Sequence, residues 1–120
     1  MNYRVETIDH ERYLYYVVSG VWDVSESLEV WRDITDRLKG KEKSKALVDE
    51  RKLEIVTDVS ADFSHAQQLT RLLIPVYSRI ATLQSDDNIE INRFYETVCV
   101  NRGLNIRYFR EVQDALDWLS

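Results

Sequence analysis

The sequence predicts an α/β domain with elements in the order β-β-α-β-α-β-α-β-α, a mostly parallel sheet and an antiparallel first strand. Three observations predict it. Two strand-like segments joined by a short polar turn open the chain, strand-like and helix-like stretches alternate after them, and the final third reads as helix, glycine stop, buried strand and helix. That final stretch, Asn92 to Ser120, is the most informative about architecture.

Tyr3 to Ile8 alternates, with Tyr3, Val5 and Thr7 on one side, and DHER at 9 to 12 reverses the chain into Tyr13 to Ser19. The second strand, YLYYVVSG, is apolar almost throughout, as a strand covered on both faces would be, and is expected to end at Gly20. Asp23 then caps a helix whose third residue is Glu26, a capping box with Asp in place of Ser or Thr. Val24, Leu28, Trp31, Ile34 or Thr35, and Leu38 form its apolar stripe, and Gly40 stops it.

KEKSK, 41 to 45, reads as a solvated basic loop. Ala46 to Val48 is expected as a short buried strand ending in Asp49, Glu50 and Arg51, which places charges at a carboxyl strand end, where open α/β sheets hold ligands. Arg51 to Ser60 is a loop or the start of a helix capped at Thr57. From Ser60 or Asp62, a second helix carries Phe63, Ala66, Leu69 or Thr70, and Leu73, until Pro75 ends it. Tyr77 to Leu83 is the fourth strand, and QSDDN leads into the third helix, marked by Ile91, Phe94, Tyr95 and Val98. Arg102 falls in its last turn, and Gly103 follows where a left-handed cap is needed. Asn105 to Phe109 is the last strand, and Val112, Ala115, Leu116 and Leu119 define the last helix.

With 120 residues, 44% apolar and 31% charged, the chain is expected to form one folded domain over residues 1–120, able to bury a core without disulfides or metals. A formal net charge of -5 argues against nucleic acid as a partner, since tracking phosphates requires a basic face. The single cysteine, Cys99, cannot form an internal disulfide, no leader-like stretch opens the sequence, and no apolar run nears the roughly eighteen residues of a membrane span. A cytoplasmic protein with no membrane insertion is therefore expected.

No residue pattern supplies a catalytic motif or calls for a cofactor. His10 and His65 lie in no metal-ligand spacing, and Gly20, Gly40 and Gly103 are too isolated to cradle a phosphate. Asp49 and Glu50, with Asp58 and Asp62, are candidates to line a crevice for a ligand or partner, against the plainer reading as caps and solvated charges. Ser60 and Ser64 are candidate phospho-acceptors: a phosphate there would meet the free amides and positive dipole of a helix start, although Ser60 serves equally as an N-cap. Among the aromatics, Tyr13, Trp22 or Trp31 would mark a dimer or partner surface if exposed as a patch.

The strand closing on Ser19-Gly20, the helix after it, Ala46-Leu47-Val48-Asp49, Arg79-Ile80-Ala81, and above all RFYETVCVNRG followed by NIRYF and DALDWL carry a family likeness. In these residues the chain resembles the STAS fold (sulfate transporter and anti-sigma-factor antagonist), and more closely the SpoIIAA-like family of small bacterial proteins. The resemblance implies a non-enzymatic module acting through a protein partner or through a second copy of itself. Its partner-switching members carry a phosphorylatable serine in an Asp-Ser-Ser-Gly-like turn after the third strand. This sequence has no such turn, and its hydroxyls there are Thr57, Ser60 and Ser64, in TDVSADFS. The alternative is a carrier of a small apolar or lipid-like ligand, held between the second helix and the sheet by Phe63, Leu69, Leu72, Leu73 and Ile74.

Overall fold

A computed structural model describes residues 2–40, 45–56, 68, 71, 79–101 and 103–120. Five strands form one sheet in sequence order: β1 (Tyr3–Asp9), β2 (Leu14–Trp22), β3 (Lys45–Ile55), β4 (Arg79–Leu83) and β5 (Asn105–Phe109). β1 pairs antiparallel with β2, and the remaining pairs are parallel. The described helices are α1 (Val24–Gly40), α2 (Ile89–Asn101) and α3 (Val112–Leu119), with a short 3-10 turn at Asp86–Asn88 before α2. The expected order of strands and helices holds wherever it is described. The helix expected from Ser60 or Asp62 falls almost wholly outside the described residues, of which Gln68 and Arg71 are helical.

Side-chain alternation along the strands divides the core in two. On one face, Leu14, Tyr16, Val18, Ala46, Val48, Ile80 and Ile106 of the sheet meet Val30, Trp31, Ile34 and Leu38 of α1 and Cys99 of α2. On the other, Leu47, Ala81 and Leu83 meet Ala115 and Leu119 of α3, with Tyr13, Tyr15, Phe109 and Trp118 packed around them. β3 and β4 are therefore covered on both sides. Trp22 and Trp31 are each 3% exposed and lie in the first cluster. They are not the aromatic surface that exposure would have made them. Burying rings of that size stabilises by about 4–6 kcal/mol apiece as an upper bound, which explains why the fold keeps them inside.

The helix signals act as their chemistry predicts. Asp23 N–H donates to Glu26 Oε1 at 3.1 Å and Glu26 N–H donates to Asp23 Oδ1 at 2.9 Å, closing the capping box that starts α1. α2 ends with Gly103 at φ +89°, where Gly103 N–H donates to Val100 O and Leu104 N–H to Cys99 O, each at 3.0 Å. This double bond pattern is a Schellman cap, and it requires the left-handed residue that glycine supplies. On α2 the deepest residues are Asn92, Tyr95 and Cys99, so the buried stripe sits one position beyond Ile91, Phe94 and Val98, which are half-buried.

Two strand boundaries differ from expectation. β2 does not stop at Gly20 but passes through it at φ +101° to Trp22. A Cβ at Gly20 would lie 2.5 Å from Asn2 O and 2.9 Å from the Tyr3 Cα, so the close approach of β1 is what demands glycine. β3 does not end after Val48: it runs on through the charged residues to Ile55. Its far half is held by pairing with β2 and by Asn88, whose Nδ2 donates to Leu53 O at 2.8 Å.

Candidate functional site

Asp49, Glu50 and Arg51 thus lie inside a strand, not at its end. A bulge falls among them. Asp49 pairs with Val17 but Lys52 pairs with Ser19, so β3 accommodates one more residue than β2 over this stretch. Arg51 grips Asp49 in a two-pronged contact, Nε to Oδ1 at 3.0 Å and Nη2 to Oδ2 at 2.7 Å. Its backbone N–H donates to Oδ1 at 3.1 Å, and Tyr15 from β2 donates its hydroxyl to Oδ2 at 3.2 Å.

These contacts settle the charge states. Burial alone would raise the Asp49 carboxyl, but the side-chain and backbone hydrogen bonds of Arg51, its positive charge and the Tyr15 hydroxyl together outweigh burial and hold Asp49 below the usual carboxylate range. Tyr15 is raised, first by burial and then by the neighbouring Asp49. Glu50 behaves oppositely. Strand alternation turns it to the face of Ala46 and Val48, where it is 3% exposed, and burial, aided by the Asp49 charge, pushes its carboxyl up to about 8. Tyr108 shares this environment: burial raises its hydroxyl well above the ordinary range, and the Glu50 charge adds to that. The Tyr108 N–H donates to Glu96 Oε2 of α2 at 2.9 Å. Nearby in the fold, Asn92 Nδ2 donates to Gln84 Oε1 at 2.9 Å. Thr82 Oγ1 is buried with no hydrogen-bond partner among the described residues.

Asp49 and Glu50 are neighbours in sequence whose carboxyls occupy opposite faces of the sheet. They do not line one crevice, and Asp49 is closed off by Arg51, so the pair lacks the shared geometry that acid–base catalysis needs. Asp58, Asp62, Phe63, Ser60 and Ser64 lie outside the described residues, as do Thr57, His65 and the apolar residues expected to line a ligand pocket. What is described of that side is where it begins: β3 ends at Ile55, and Val56, 54% exposed, ties back to β2 by donating its N–H to Trp22 O at 3.0 Å.

Sequence reasoning counted Arg51 only among the charges at a strand end and did not connect Tyr15 to Asp49. An Asp-x-Arg spacing on a strand puts both side chains on one face, which is a legible signal for the Asp49–Arg51 contact. Nothing local marks Tyr15. A concavity of about 540 Å³ lies at the other end of the strands, between His10, Arg12, Tyr13, Lys45, Leu116 and Leu119. There the His10 ring stacks on Tyr13 with centroids 4.3 Å apart, and its Nδ1 accepts the Arg12 N–H at 3.2 Å. Among the described residues no three His, Cys, Asp or Glu side chains form a group fit for a metal ion, and no helix is long and apolar enough to cross a membrane.

No protein-family model matches the sequence, and none of the curated proteins compared with it is similar. Solved structures do match. An uncharacterised protein of the DUF3478 family with a SpoIIAA-like fold, from Shewanella loihica PV-4, is 18% identical, with 99% of this chain and 94% of that one covered at a TM-score of 0.61. An anti-sigma factor antagonist from Mycobacterium paratuberculosis is 12% identical over 98% of this chain and 93% of its own, at a TM-score of 0.62. The Bacillus cell fate determinant SpoIIAA in its phosphorylated form is 13% identical over 98% and 99%, at a TM-score of 0.56. Identities this low speak to architecture alone, and in architecture the chain has the SpoIIAA-like fold.

Proposed function

We propose that this chain is a non-enzymatic, cytoplasmic regulatory module that acts by binding a protein partner. The observation that carries the reading is the match of nearly the whole chain to anti-sigma factor antagonists, with no large part of either fold left over. The described chemistry is compatible with it. The ion pair in β3 is internally satisfied, and Glu50 beside it lies buried on the opposite face of the sheet.

The docking region in this reading is the segment that follows β3, with Asp58, Asp62 and Phe63 as contacts and Ser60 or Ser64 as the residue whose phosphorylation changes affinity. Phosphate at a helix start gains free amides and dipole, while close to Asp58 and Asp62 it adds repulsion, so one modification alters both shape and charge. The segment lacks the Asp-Ser-Ser-Gly-like turn of switching relatives, so the choice between the two serines is specific to this chain.

The test is affinity capture from extract with the whole chain, comparing wild type with Phe63→Ala and with Asp58→Lys/Asp62→Lys, followed by calorimetry on the captured protein. A partner retained by wild type and lost by both variants supports the reading. Retention indifferent to both overturns the assigned surface. In parallel, native mass spectrometry that finds a stoichiometric apolar ligand would replace this reading by the carrier alternative.

A further inference from the structure

The sheet has two outer strands, β1 and β5, and their edges differ. β5 is five residues long, and the N–H of Tyr108 donates to the Glu96 carboxylate, so a side chain of α2 already occupies that rim. β1 has seven residues, no proline and an unbroken register against β2. Among the described residues, no backbone hydrogen bond reaches its outer side. An edge that, among the described residues, carries no bulge, proline or outer backbone partner is a template for another strand.

The phase of β1 is fixed by one bond. Val21 N–H donates to Asn2 O at 2.8 Å, and in the register that follows from Tyr3 facing Gly20 these two residues are opposite each other. Even-numbered residues of β1 therefore bond to β2, and Tyr3, Val5 and Thr7 aim their N–H and C=O groups outward.

We propose that β1 pairs antiparallel with β1 of a second copy of this chain, around a two-fold axis at Val5, joining two five-stranded sheets into one. Charge selects this register. Pairings that bring outward groups face to face are centred on Arg4, Val5, Glu6 or Thr7. Centring on Arg4 sets two guanidinium groups against each other, and centring on Glu6 sets two carboxylates against each other. Centring on Thr7 leaves Arg4 without a carboxylate opposite it. Only the Val5 axis places Arg4 opposite Glu6 of the second copy, twice by symmetry, in the closely spaced non-hydrogen-bonded position where side chains interact best. Arg4 and Glu6 are both exposed, and Tyr3 then faces Thr7 of the second copy. The β1 edge belongs to no part of the surface assigned above to a protein partner, so the two ideas stand separately.

Sedimentation equilibrium of the full chain, at concentrations on the order of 1 µM to 1 mM, tests the proposal. The expected mass rises from 14.2 kDa toward twice that value with concentration. Val5→Pro removes an N–H that β2 does not use and weakens association by about tenfold or more. Arg4→Glu weakens it by about tenfold, because like charges then face each other twice, and Arg4→Glu combined with Glu6→Arg restores the wild-type constant. Circular dichroism confirms folding, and the charge reversals decide the matter if Val5→Pro does not fold. A strict monomer at all concentrations overturns the proposal, as does a dimer unmoved by the single charge reversal or not rescued by the double.

Discussion

Arg51 holds Asp49 from two residues along the same strand, with Nη2 2.7 Å from Oδ2 and Nε 3.0 Å from Oδ1. The Asp49 side chain is only 10% exposed while that of Arg51 is 43% exposed, so the carboxylate depends on the contact more than the guanidinium does. Arg51→Ala is expected to destabilise the protein by about 1–2 kcal/mol, the cost of an under-satisfied buried acceptor reduced by solvent screening of the arginine. Asp49 is depressed in the folded state, so its contribution is present above the unfolded carboxyl range near pH 3.9 and is lost as pH falls through the folded value. Urea unfolding at neutral and acid pH checks both points: the gap between wild type and Arg51→Ala should shrink on acidification.

Glu50 should give the opposite slope. Its folded carboxyl, near 8, lies above the unfolded value of 4.5, so the folded state binds the extra proton between those limits. Stability attributable to this residue is complete below pH 4.5 and is lost as pH rises through about 8, by an amount on the order of a few kcal/mol. Glu50→Gln keeps the shape without the charge. It is expected to be more stable than wild type at pH 9 and to flatten the stability curve from pH 5 to 9, as read by thermal unfolding; an unchanged slope would contradict the burial of Glu50.

The two left-handed glycines should respond unequally to alanine. At Gly103 nothing lies within 4 Å of the added Cβ, so Gly103→Ala meets only backbone strain, about 1 kcal/mol. At Gly20 the Cβ collides with the backbone of Asn2 and Tyr3, and Gly20→Ala is expected to cost roughly 3 kcal/mol or more while loosening β1. Hydrogen exchange of the β1 amides and denaturant midpoints distinguish the two.

Trp31→Ala should cost about 3–5 kcal/mol, the usual penalty for emptying a buried aromatic site. If Trp31 formed part of an exposed patch, the same change would leave chemical denaturation nearly unmoved, so the denaturant midpoint separates core from surface.

Some of this was legible in the sequence and some was not. The capping box of Asp23 and Glu26, the glycine stop at Gly103 and the apolar spacing of α1 and α3 depend on groups within a few residues of one another, so the sequence by itself determined them. The order of strands and helices followed from the same local signals. The length of β3 did not, because its charged half is held as a strand by pairing with β2 and by Asn88, partners far away along the chain. Tertiary structure alone decided that Trp22 is a core residue and that Tyr15 reaches Asp49 across 34 positions. It also decided that two adjacent acids have opposite fates: a bulge and a change of sheet face give Asp49 a guanidinium and leave Glu50 in an apolar interior, and solvation differs between those places although the residues are neighbours.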